Sequence, residues 1–279
     1  MATSAQSFRL DHGIWNQTLY SQMREFWFGD IAPNADMPPI DQMKKWFGVG
    51  QAPEDKQELD RQCRKMAGSA IESVGPEHLS LPAFTSYEDE EAQAETIVSP
   101  FFNEVEVARQ QDEEKGAKTL LSLVLLLDQM PRNLFREQHE LPLVYRHYDR
   151  LAYMLVAGSL HKTPNLFIHS SILKRMYWMW FYLPFTHCEH LPTHQRLYEI
   201  GQRTAALAKE PQEGPIADFA QSWTKAYKEH LEPIEKFGRF PHRNQCLGRE
   251  NTPEETKYLK TADTFGVEQK ETKQVKDEL

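Results

Sequence analysis

The chain has 279 residues, a formal charge of −9 and few glycines (13), which together suit one helical domain able to bury a core without disulfides or metals. The negative balance excludes general affinity for DNA and for anionic membrane surfaces, leaving RNA or phosphate-backbone binding only to a local basic patch. Cys63, Cys188 and Cys246 stand far apart, which argues against a thiolate zinc cluster. No apolar run reaches the roughly 18 residues that a membrane helix needs.

In chain order, Trp15, Leu19, Met23, Phe26 and Trp27 recur at helical spacing over Ile14 to Phe28, and Gly29 ends the pattern. After a loop with three prolines, Asp41 is placed to cap a helix carrying Met43, Trp46 and Phe47. Glu54 to Ser73 puts Leu59, Cys63, Met66, Ala67, Ala70 and Ile71 on one side. The stretch 76–118 turns acidic, most densely over Ser86 to Glu95, and reads as an exposed insertion with a short helix.

Leu120 to Leu127 is almost wholly aliphatic and must be covered on all sides. Asp128, Gln129, Arg132, Asn133 and Arg136 follow at once, around Pro131. Polar groups leaving a buried element need partners, because burying even a neutral one unpaired costs roughly 2–7 kcal/mol. Leu143 to Gly158 forms the next helix, with Tyr145, Tyr148, Leu151, Ala152 and Leu155 inward and Gly158 at its end. Ser171 to Leu183 is apolar nearly all round, so it is central. Pro184 stops it and releases His187, Cys188, Glu189 and His190 into a loop.

Two amphipathic helices, Thr193 to Leu207 and Ile216 to Lys236, lead to Gly238. Thr252-Pro253-Glu254-Glu255 has every part of a capping box. Beyond Phe265 the residues 266–279 are charged and poor in apolar groups, the composition of a disordered tail. The expected architecture is all-α, built of antiparallel helical hairpins in a single domain over 14–265.

Three polar clusters each follow a buried helix: Asp128 to Arg136; His187 to His190; and Arg239, His242, Arg243, Asn244 and Arg249. Their arginines could clamp a small phosphate or carboxylate. His187 or His242 would serve as general acid or base, oriented by Glu189 or Asp128, while Gln129, Arg132, Asn133, Arg136, Arg239, Arg243, Asn244 and Arg249 would bind the ligand. Ion pairs that merely hold helices together use the same geometry. Two histidines three apart fall short of the three converging ligands a metal needs, so no metal is assigned, and no cofactor fingerprint is present.

The segments FWFG (Phe26 to Gly29), LLLDQMPRNLFR (Leu125 to Arg136), FYLPFTHCE (Phe181 to Glu189) and KFGRFPHRNQCLGRENTPEE (Lys236 to Glu255) resemble the hallmarks of the domain of unknown function 924 family. Lys236 and Cys188 stand where that family usually has arginine and serine. The resemblance implies an all-helical, tetratricopeptide-like fold and no agreed activity. It therefore leaves open two readings: a pocket for a small anionic metabolite with histidine chemistry, or an adaptor holding a peptide in a helical groove. A cytoplasmic location is expected, the alternative being the endoplasmic reticulum lumen, whose retrieval signal Lys276 to Leu279 spells.

Overall fold

Several helices begin where a side chain supplies a partner for the first free N–H groups, and others open on a proline that has none to satisfy. Asn16 Oδ1 accepts from the Thr18 and Leu19 N–H groups to start α1 (Gln17–Phe28). α2 (Ile40–Phe47) follows Pro39, with Asp41 in its first turn rather than at the cap, and α3 (Pro53–Ser73) opens on its own proline. Ser86 caps α4 (Tyr87–Ile97), α5 is Ser99–Gln111, and Asp112 caps α6 (Glu113–Val124). The chain continues through a π turn (Leu125–Gln129) into α7 (Met130–Leu134). A short α8 (Leu141–Leu143) runs through a second π turn (Val144–Tyr148) into α9 (Asp149–Lys162). α10 (Arg175–Thr186), α11 (Leu191–Leu207), α12 (Pro215–Phe237), a 3₁₀ turn (Pro241–Arg243) and α13 (Pro253–Tyr258) complete a computed structural model that describes residues 8–29, 31, 38–48, 50–162, 175–207, 215–265, 267 and 269.

Among the described residues there is no strand, and the fold is all-α. α5 packs on α6, α11 on α12, α3 on α7 and α4 on α9. The run from Leu120 to Leu127 lies at the centre, with Leu120, Leu123, Leu125, Leu126 and Leu127 fully buried. Trp180 of α10 stands edge-on to Trp27 (5.4 Å between ring centroids) and to Trp46 (4.9 Å), locking α1, α2 and α10 together.

Three expectations are corrected here. The stretch 76–118 is not exposed throughout: α4 and α5 send Ala94, Val98, Phe101 and Val105 into the core. Its acidic residues lie along the solvent side of helices whose other side is apolar, and Glu90, the buried exception, pairs with Arg150 at 2.5 Å. Gly158 does not end its helix, since α9 runs on to Lys162. A Cβ at Gly158 would meet Phe102 Cζ at 2.8 Å, so close packing explains the glycine. Pro184 does not stop α10, which continues to Thr186 before His187 N–H donates to the Leu183 carbonyl. The expected helix start at 171 and most of the 266–279 tail, with its terminal tetrapeptide, fall outside the described residues. Of that tail, Val267 is buried and Gln269 donates to the His242 carbonyl at 3.1 Å.

Gly116 gives a direct test of helix packing. An added Cβ would lie 2.8 Å from Arg109 Cβ and 3.0 Å from its Cα, where backbone must yield, whereas at Gly68 the nearest atom is Arg64 Cγ at 3.5 Å. Gly116→Ala is expected to destabilise the fold by about 1–3 kcal/mol in urea titration through overpacking. Gly68→Ala should stabilise it by about 0.5–1 kcal/mol, as alanine normally does inside a helix.

Candidate functional site

Pro131 has no N–H, and in an unbroken α-helix its ring would strike the Leu127 carbonyl. The chain widens just ahead of it, with Met130 N–H donating to Leu125 O, five residues back. The inserted residue turns the following side chains by roughly a quarter turn relative to a regular helix. In the second π turn Asp149 N–H donates in the same way to Val144 O. The two widened turns present Asp128 and Asp149 to a single arginine: Arg132 Nη2 donates to Asp149 Oδ1 and lies 3.5 Å from Asp128 Oδ1.

His187, held at the end of α10, completes the cluster through Nδ1, which lies 2.8 Å from Asp128 Oδ1. The second Asp128 oxygen accepts from Gln129 Nε2 at 2.6 Å. Burial works to raise the Asp128 carboxyl, but His187 and Arg132 outweigh it and hold the group at about 2. Burial, then Arg132, lowers His187 below its ordinary value against the pull of Asp128. At neutral pH, then, Asp128 is ionised and His187 is neutral. An ionised carboxylate cannot donate, so the proton of that hydrogen bond sits on His187 Nδ1. Nε2, on the far side of the ring, keeps a bare lone pair and no partner among the described residues.

Arg243 arrives from the 3₁₀ turn. Its guanidinium lies between the rings of Tyr145 (4.3 Å) and Phe240 (4.5 Å), Nη1 donates to the His187 carbonyl at 2.9 Å, and the same atom lies 3.7 Å from Asp149 Oδ2. Two carboxylates thus face two guanidiniums, and their formal charges cancel. Arg132 Nε, Arg243 Nε and Asp149 Oδ2 are buried without a hydrogen-bond partner among the described residues. Asp128, Asp149 and His187 bring ligand atoms within 4.8 Å of one another, a spacing a cation could use, but Arg132 Nη2 already sits against both carboxylates.

The remaining expected site residues hold the scaffold. Glu189 orients no imidazole: its carboxylate accepts from Arg249 Nη1 (2.6 Å) and Nη2 (2.8 Å) and from Phe240 N–H (2.9 Å), clasping the loop after Gly238 to the end of α10. Gly238, at φ +68°, makes the left-handed turn that sends the chain back there. Arg239 makes a bidentate pair with Glu255, whose carboxylate also closes the capping box of α13 with Thr252. Arg136 pairs with Asp60 on α3 and donates to Asn133 Oδ1. Asn133 donates to the Gln129 carbonyl, and Asn244 Nδ2 to Asn251. The His242 ring lies between Phe240 (5.4 Å) and Phe265 (5.2 Å), and burial with Arg243 nearby pushes it down to about 2. At neutral pH it is therefore a neutral ring and no imidazolium, so it cannot serve as a general acid. Cys188, its thiol pushed up to about 12 by burial, donates to the Phe185 carbonyl and is an inert core group.

Asp149 and His230 were not among the expected site residues. The signal for Asp149 was present: Tyr145, Asp149 and Ala152 share one helical stripe, so an acid stood on a face otherwise read as inward. His230 gave none, being one polar residue on an amphipathic helix.

The arrangement defines a class, an all-helical protein with a buried aspartate–histidine pair braced by arginines. The model of a family of bacterial proteins of unknown function, DUF924, matches residues 23–263, and the chain belongs to that family. A solved structure of a protein of unknown function from Agrobacterium tumefaciens is 27% identical. The alignment covers 72% of this chain and 97% of that one, at a TM-score of 0.40. No curated protein matches the chain. Among the described residues no helix is long and apolar enough to cross a membrane.

Burial, first among the causes in each case, brings His194 to about 4, His230 to about 3 and His242 to about 2. Unfolded, each takes up a proton near pH 6.5, so the unfolded state binds more protons below that point and stability falls with pH at up to ~1.4 kcal/mol per unit per histidine. Together the three are expected to remove roughly 3–4 kcal/mol between about pH 7 and about pH 5.5, a window above the titration of most carboxylates. Urea titrations at the two pH values measure this, and His242→Phe should flatten the dependence by about a third.

Proposed function

We propose that the Asp128–His187 pair is a proton-accepting site for a small acidic molecule, with His187 Nε2 as the general base. One observation carries this reading: Nδ1 is held by an ionised, buried carboxylate while Nε2 has no partner among the described residues, on a side chain that is 13% exposed. This is how a carboxylate readies an imidazole to take a proton, by fixing its tautomer and stabilising the imidazolium that forms.

The charge balance sharpens the expected anion-binding role. Arg132 and Arg243 answer Asp149 and Asp128, so no formal positive charge is left for a phosphate or carboxylate. An anion gains a counter-charge only if a proton arrives with it, on His187. The ligand is thus a weak acid bound together with its proton, and the same proton transfer, made to a bound substrate, is general-base catalysis. The peptide-adaptor reading has no comparable observation behind it.

Calorimetry with benzoate, acetate and inorganic phosphate as probes, run in two buffers of different ionisation heat, measures the proton uptake. Binding at about pH 8 is expected to take up about one proton per ligand, and His187→Gln should abolish that uptake. Binding with no uptake, or uptake that survives in His187→Gln, contradicts the assignment. Asp128→Asn leaves two guanidiniums facing one carboxylate and should cost about 3–5 kcal/mol of stability, as loss of one partner of a buried pair does.

A further inference from the structure

Beside His187, and separate from its ion cluster, α2, α10 and α12 line a half-open cavity of ≈ 170 Å³. Met43, Phe47, Leu183, Trp223 and Tyr227 supply its apolar walls, and the polar lining residues are His230 and Thr186, whose hydroxyl already donates to the Leu183 carbonyl. An apolar cavity of about 150 Å³ is enough to take up benzene from water, so this one holds a single aromatic ring with a small substituent. Three of the walls are aromatic rings. Phe47 lies parallel to Trp180, with an interplanar angle of 7°, and the rings of Trp223 and Tyr227 meet edge to face at 5.0 Å. Phe47 is also 41% exposed, apolar surface that a bound ring would cover.

His230 fixes the polarity of the ligand. Its Nδ1 lies 2.8 Å from the Ala226 carbonyl, and a carbonyl only accepts, so Nδ1 carries the proton. Burial keeps the ring neutral, pushed down to about 3, and Nε2 is then a bare acceptor with no partner among the described residues. Its ring centroid stands 6.3 Å from that of His187, whose Nε2 is bare for the same reason. Both imidazoles here accept, and neither donates from its open side. A carboxylate or phosphate in the cavity would find no donor on His230, whereas an O–H or N–H would find an acceptor.

We propose that this cavity is a binding site for a small planar aromatic molecule bearing one O–H or N–H group, with the ring among Phe47, Trp223 and Tyr227 and the donor on His230 Nε2. Occupancy depends on the cavity and on His230. It does not depend on His187 acting as a base, although a donor seated here lies beside that residue.

Phenol, indole and toluene are the probes, titrated against the full-length protein by calorimetry. Phenol and indole are expected to bind at one site, with toluene roughly tenfold weaker for want of a donor. His230→Phe, which keeps a ring but removes the acceptor, should erase the difference between phenol and toluene. Ala226→Phe, which fills the cavity, should weaken all three by at least about tenfold, as Leu183→Trp should if the first variant does not fold. His187→Gln should leave phenol affinity unchanged, so failure of the proton-accepting role and failure of the cavity give different results. No binding of phenol or indole to the wild type, toluene binding as tightly as phenol, or unchanged affinity in a folded cavity-filling variant would each overturn the proposal.

Discussion

Two acids and two arginines buried side by side are the constraint on which the rest of this structure depends. Stripping an ion of water costs several kcal/mol, and partners offset that only at close range and in the right direction. Asp128 and Asp149 can both reach Arg132 because each leaves or adjoins a widened helical turn, one ahead of Pro131 and the other at the head of α9. A regular helix through either segment would rotate an acid away from the shared guanidinium. The wall of leucines from Leu120 to Leu127 serves the same end by excluding water from one side of the cluster.

Around that centre the chain uses arginine–carboxylate pairs as rigid joints. Glu189 with Arg249 ties the loop after α12 to the end of α10. Arg239 with Glu255 ties the same loop to α13, and Arg136 with Asp60 joins the end of α7 to α3. Each is bidentate, the arrangement that fixes orientation as well as distance. Their joint effect is to deliver Arg243 between Tyr145 and Phe240, against the backbone of His187. The loop arginines therefore preorganise the site from outside, while Arg132 and Arg243 stand within it.

Much of this was legible in the sequence. Helical spacing and caps identified most helices, Thr252 to Glu255 reads directly as the capping box it forms, and the polar group after Leu127 marked the centre. The sequence was less informative where tertiary contact overrides a local rule. Gly158 and Pro184 look like helix ends, yet α9 needs the glycine for Phe102 and α10 tolerates the proline within its last turn. The roles of Arg239, Arg249, Glu189 and His242 depend on which partner lies nearest in space, which spacing along a chain does not encode. Asp149 was visible only as an acid on an inward stripe. The π turns that aim it and Asp128 at Arg132 leave no pattern beyond Pro131 itself.

Nitrogen-15 NMR of the histidine rings at neutral pH tests the central claim most directly, because it reports which nitrogen of His187 carries the proton. With a buried, ionised Asp128 at its back, His187 should be neutral, protonated at Nδ1 and bare at Nε2. That signature should shift in Asp128→Asn while the resonances of His194 stay in place. A His187 that is already an imidazolium at neutral pH, or whose proton sits on Nε2, would contradict the account, since the ring could then accept no proton from anything bound beside it.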